Sequence, residues 1–248
     1  MDDACLARLL RVLQGTVEDD PVARLPLRLA AGGLIAALFF GALYFAKPIF
    51  AFLVQPLLAA GQGKIVFIDI FEAFFVEVKV ALFAALMISF PVLATQIWRF
   101  VAPGLSGRER KLVVPFVLCA TFFFVTGAAF CYRFVLPVAF KYFIEQYESM
   151  GVSPAIRIGE YFTFFFRMIL AFSVTFELPV FTFFLVRVGI WDYRFMLRSF
   201  RYALVIIFVI AAMLTPTPDV INQSLLAVPM LVLYVLSIGI AYIWRKPE

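Results

Sequence analysis

From Phe74 to Trp98 the chain carries only two charged side chains, Glu77 and Lys79, and from Leu112 to Val135 only one, Arg133. At about 1.5 Å per helical residue, runs of this length exceed the ~30 Å hydrocarbon thickness of a bilayer. Inside lipid the backbone must satisfy its own hydrogen bonds, which leaves the helix as the structure of each run. The remainder agrees: 65% of the 248 residues are apolar and 32 are Phe, more than one soluble core of this length can hide. These features predict an all-α polytopic membrane protein with six transmembrane helices.

Span 1 is expected over Leu29–Ala46, stopped by Lys47-Pro48, and the short apolar piece Ile49–Leu58 as an interfacial helix. Span 2 covers Phe74–Trp98 with a kink at Pro91, and span 3 covers Leu112–Val135. A polar loop from Lys141 to Glu160 leads to span 4, Tyr161–Val186. A basic connector with Arg187, Arg194, Arg198 and Arg201 precedes span 5, Tyr202–Leu214, and a tight turn, Thr215–Asp219, precedes span 6, Leu225–Trp244. Span 5 is short, about 20 Å of helix, and span 6 is only moderately longer. Residues 1–28, 29–244 and 245–248 then form an N-terminal segment, the bundle and a tail of one integral-membrane domain. Met1 to Arg28 has the composition of a segment without a cleavable signal peptide.

Lys and Arg are about twice as frequent on the side that holds both termini and the second and fourth connectors. Both termini are therefore expected in the cytoplasm. The positive charge marks topology, and nothing points to nucleic acid. Histidine is absent, which excludes Ser-His-Asp and Cys-His catalysis and His-ligated metal. There is no Walker-type phosphate loop, and Cys5, Cys119 and Cys131 lack metal spacing. No enzyme and no cofactor is expected.

Two acids stand out. Glu109 lies in a basic loop with Arg99, Arg108, Arg110 and Lys111. It is either a solvated acid balanced by its neighbours or a site for a guanidinium, which a carboxylate binds through two parallel hydrogen bonds. Phe100 can wall that site. Glu177 lies inside span 4, about 15 Å deep, where a carboxylate costs roughly 3 kcal/mol or more. It is either a protonated acid bonded to a neighbouring helix or one facing a polar cavity that receives a partner or ligand. Pro179 frees a backbone carbonyl beside it. Lys79 and Arg167 snorkel. Asp219 caps the last helix, and Thr215 with Gln223 can form a polar notch for a partner helix. A proton-coupled small-solute transporter using Glu177 is the alternative reading. Against it stand the missing internal repeat and the missing basic partner for Glu177.

The motifs together resemble the TatC family, the receptor subunit of the twin-arginine protein translocase. They are Tyr44-Phe45-Ala46 with Val54-Gln55-Pro56-Leu57, Phe90-Pro91, and Gln96 through Phe100 to Pro103-Gly104-Leu105. Further on come Glu109-Arg110-Lys111, Phe176-Glu177-Leu178-Pro179-Val180, and Leu214 to Asp219 leading to Gln223. Pro56, Pro91, Gln96, Pro103 and Pro179 take structural places in this pattern. The resemblance implies a concave, glove-like bundle with short helices 5 and 6, multi-pass in the bacterial inner membrane. It implies export of folded proteins on the proton-motive force. Glu109, Phe100 and Arg110 would meet the twin-arginine signal peptide, and Glu177 would line the concave face. Thr215, Gln223 and Asp219 would receive single-span TatB- and TatA-type partners, and other copies of the chain would join the complex. The family's N-terminal His-Leu-x-Glu-Leu-Arg-x-Arg-Leu reads here as Asp20 to Leu29, without the His and Glu. That departure fits a specialised paralogue with altered signal recognition, in which Glu18, Asp19 or Asp20 substitutes.

Overall fold

The computed structural model describes residues 21–59, 65–101, 113–151, 155–215 and 220–244, nearly all of them helical. Helices α1 (Pro21–Tyr44) and α2 (Ala46–Ala59) are followed by the short strand β1 (Ile65–Val66) and helix α3 (Glu72–Val101). Helix α4 (Val113–Phe130) continues through a π turn (Cys131–Val135) into α5 (Leu136–Ser149). Strand β2 (Ile156–Arg157) leads to α6 (Ile158–Phe176), α7 (Leu178–Val188), α8 (Tyr193–Leu214) and α9 (Val220–Ile243). Five spans are long and apolar enough to cross a membrane, and α1 with α2 makes a sixth if the pair is one broken span.

Four boundaries differ from the sequence expectation. The piece at 49–58 does not simply lie with one face in an interface. Leu53, Val54 and Leu57 of α2 are buried, and the Tyr161 and Tyr132 hydroxyls donate to the Leu53 and Phe52 carbonyls at 2.6 and 2.7 Å. The expected polar loop over 141–160 is mostly helix to Ser149, because its polar residues fall on one side of α5: Lys141 and Glu145 pair at i,i+4. Span 4 is interrupted at Glu177, since Pro179 has no N–H for the Thr175 carbonyl. Helix α8 has 22 residues and α9 has 24, so only the apolar part of α8 is short. Asp192 caps α8 by accepting from the Tyr193 N–H, and the helix starts within the basic stretch read as a connector. Helix α3 continues through Pro91, and α2 through Pro56.

The chain groups into two compact units. One comprises residues up to Ala46 with Val80–Thr121, and the other comprises Lys47–Lys79 with the chain from Phe122 onward. In the first, Val80, Ala81, Ala85 and Ser89 form a fully buried stripe on α3. In the second, α9 packs on α7 and α8 and touches α6, while α6 meets the π turn. Its centre is aromatic. Tyr161, Phe162, Phe165 and Phe172 are almost completely buried, and their rings run from Phe50 on α2 through Phe162, Phe165 and Tyr161 to Phe140 on α5. Each such pair adds about 0.5–1.5 kcal/mol beyond its buried area. This frame fixes α6, which carries the intramembrane acid.

Candidate functional site

Glu177 is 5% exposed and sits at the junction of α6 and α7. Its N–H bonds back to the Val174 carbonyl, three residues away, so the last turn of α6 is tightened before Pro179. Its Oε1 has no hydrogen-bond partner among the described residues, and neither has the Ser173 hydroxyl, which is fully buried. Four residues apart, the two share one helix face. Most buried polar groups are paired, so two orphans one turn apart mark a place the fold holds open for a polar group. The expectation of a protonated Glu177 bonded to a neighbouring helix finds no support here, and Ser173 was missed. Its spacing to Glu177 was the available signal.

Close helix contact keeps this face in place. A Cβ on Gly127 of α4 would lie 2.9 Å from the Phe172 carbonyl oxygen and from the Phe176 side chain. Only glycine allows α4 to approach α6 so nearly at that level. Phe130 of α4 packs on Phe172 and Phe176 just beyond.

A second acid forms a node that the sequence reading passed over. Glu72, two residues before the expected start of span 2, is only 7% exposed. Its Oε2 accepts from the Ile68 and Asp69 N–H groups at 2.9 and 3.4 Å. Its Oε1 accepts from the Gly159 N–H at 3.0 Å and the Arg157 guanidinium at 2.9 Å. Gly159 has no Cβ because one would stand 2.7 Å from that oxygen. Beside it β1 and β2 pair in parallel, Ile65 with Ile156 and Val66 with Arg157. Asp69-x-x-Glu72 has the spacing of a capping box, the signal that marked this turn. Here the box reaches beyond its own helix and joins two connectors.

The Gln223 side-chain amide donates to the Phe208 carbonyl at 2.7 Å, closing the α8–α9 hairpin. The Thr215 hydroxyl donates to the Ala211 carbonyl at 3.1 Å, and Thr215 borders a crevice with Ala139, Phe143, Phe164, Leu225 and Leu226. The structure therefore brings Thr215 and Gln223 to one end of the hairpin, each engaged with the α8 backbone. Glu109, Arg110, Pro103 and Asp219 lie outside the described residues. Phe100 falls in the last turn of α3 with its side chain outside them too. Gln96 is half-buried on the same helix. No cluster of His, Cys, Asp and Glu suited to a metal occurs among the described residues.

The TatC family profile, described as Sec-independent protein translocase protein, matches residues 23–229. The Sec-independent protein translocase protein TatC of Campylobacter jejuni is 47% identical over 171 residues, 69% of each chain. That of Helicobacter pylori is 39% identical over 209 residues, 84% of this chain and 80% of the relative. A crystal structure of the twin-arginine translocase receptor TatC superposes with a TM-score of 0.78 at 29% identity, covering 89% of this chain and 96% of that one.

Proposed function

The chain belongs to the TatC family of Sec-independent protein translocase proteins, and from this premise we propose that it is the receptor that binds twin-arginine signal peptides at the cytoplasmic membrane face. It lies in the bacterial inner membrane with both termini in the cytoplasm. It assembles with TatB- and TatA-type single-span proteins and further copies of itself, and the proton-motive force drives export of folded cargo. It performs no covalent chemistry.

The observation that supports this reading best is the unpaired polar pair Ser173 and Glu177 on a rigid helix face. A transport receptor needs a polar contact that its own fold leaves unmet and that an incoming helix completes, since hydrogen bonds between helices are retained in lipid. Glu109 grips the guanidinium groups of the signal by paired charge-assisted bonds, with Phe100 as an apolar wall and Arg110 beside it. Lysine supplies the same charge without the fork. Thr215 and Gln223 at the end of the hairpin, together with Asp219, receive a partner span.

The test is photo-crosslinking of a labelled twin-arginine peptide to the purified, detergent-solubilised chain. Glu109→Ala is expected to reduce crosslinking far more than Glu109→Asp. Equal crosslinking by a peptide with both arginines replaced by lysine would refute guanidinium recognition.

A further inference from the structure

The connector between α2 and α3 exposes apolar side chains to an unusual degree for a segment outside a span. Ile70 is 91% exposed, Ile68 71%, Phe71 65% and Phe67 51%. Chance mobility does not expose them. The Glu72 carboxylate holds the Ile68 and Asp69 amides, and β1 is paired with β2, so the fold pins this tip outward. Water would penalise such a surface, whereas the outer acyl region next to the head of α3 would accept it.

Beneath the tip lies a space of about 190 Å³ lined by Lys47, Phe50, Phe67, Ala73, Val76 and Glu77. It is smaller than the roughly 300–1,000 Å³ of drug-sized ligand sites. Its polar lining is one cation and one carboxylate, and neither makes an ion pair or side-chain hydrogen bond among the described residues. A lone anion would meet Lys47 and be repelled by Glu77, and a lone cation would meet the converse. A ligand that carries both charges a few bonds apart satisfies both, and its apolar remainder has Phe50, Phe67 and Val76 to lie against. The surrounding membrane supplies one molecule of that description in quantity.

We propose that this pocket binds the head group of a zwitterionic phospholipid with a primary ammonium. The Lys47 ammonium meets the phosphate, and the Glu77 carboxylate accepts N–H bonds from the lipid ammonium. The acyl chains run along the pinned apolar tip, so the connector is a built lipid seat. Glu77 sets the choice of head group, because a quaternary ammonium has no N–H to donate.

Native mass spectrometry of the purified full chain in detergent tests this, with phosphatidylethanolamine, phosphatidylcholine and phosphatidylglycerol added in equal amounts. The chain is expected to retain phosphatidylethanolamine about tenfold over phosphatidylcholine, the scale of a charge-assisted hydrogen bond. Glu77→Met should abolish that preference. Lys47→Met should weaken retention of both zwitterionic lipids and leave the ratio between them in place. Equal retention of the three lipids by the unaltered chain overturns the proposal, as does a Glu77→Met chain that keeps the preference.

Discussion

The α6–α7 span and helix α8 are about equally apolar in sequence, and they meet different fates. Half of the apolar stretch of the first is buried within the chain, against 11% of the second. The first carries the aromatic run from Tyr161 to Phe172 and meets the Gly127 face of α4. The second buries only Met196, Ile207 and Ala211 and leaves Met213 76% exposed. Apolarity tells a helix to leave water and nothing more. Shape decides which helix the protein keeps for itself and which it offers to its surroundings: a glycine opposite a backbone carbonyl, or rings in register. The contact made by the kept helix is geometric and intolerant. The offered helix has a forgiving surface.

That contrast is most sharply challenged at Gly127. Gly127→Leu forces a side chain against the Phe172 backbone, and overpacking of this kind costs about 1–3 kcal/mol. Thermal unfolding in detergent should show a large fall, and an unchanged melting temperature would mean that the α4–α6 contact is loose. Next in size is Glu72→Ala, which strips Arg157 and three amides of their acceptor. Limited proteolysis should then cut the 65–71 connector several-fold faster, with α8 and α9 cleaved as before. Third, Glu177→Met replaces an unmet acid by an apolar chain of similar length. The isolated chain should gain about 1 kcal/mol, since an unpaired buried polar group is removed, while export is lost. A fall in stability would place the Glu177 carboxyl among groups already satisfied in the fold. Smallest is Val209→Ala on the exposed face of α8, expected within about 0.5 kcal/mol of the parent. Co-purification of single-span partners is the measurement there that should respond, if this face is offered to them.

The sequence made the membrane class and the six apolar runs readable, because length and charge content alone decide them. It also made Glu177 conspicuous, since an acid in an apolar run has few explanations. Four things were not readable. The helical continuation through 141–149 was hidden because amphipathic helix and polar loop have similar composition. The extension of α8 back to Tyr193 was hidden by arginines, which suit a helix end at a membrane surface as well as they suit a loop. The Glu72 node was hidden because three of its donors are backbone N–H groups, on which no side chain leaves a mark. Ser173 was silent for a related reason: serine on a buried helix face usually bonds to its own backbone, and only the fold reveals that this one does not.

The pairing of β1 with β2 has a consequence for biogenesis. Glu72 enters the membrane early, yet its acceptor lobe is filled by an amide 87 positions further along. Until two more hydrophobic segments have been threaded, that carboxylate must be cared for by water or by the insertion machinery, and the first loop has no mate. Maturation at this end is therefore a late event that waits on the middle of the nascent chain. A pause or truncation before Gly159 would strand an already inserted hairpin in an unfinished state.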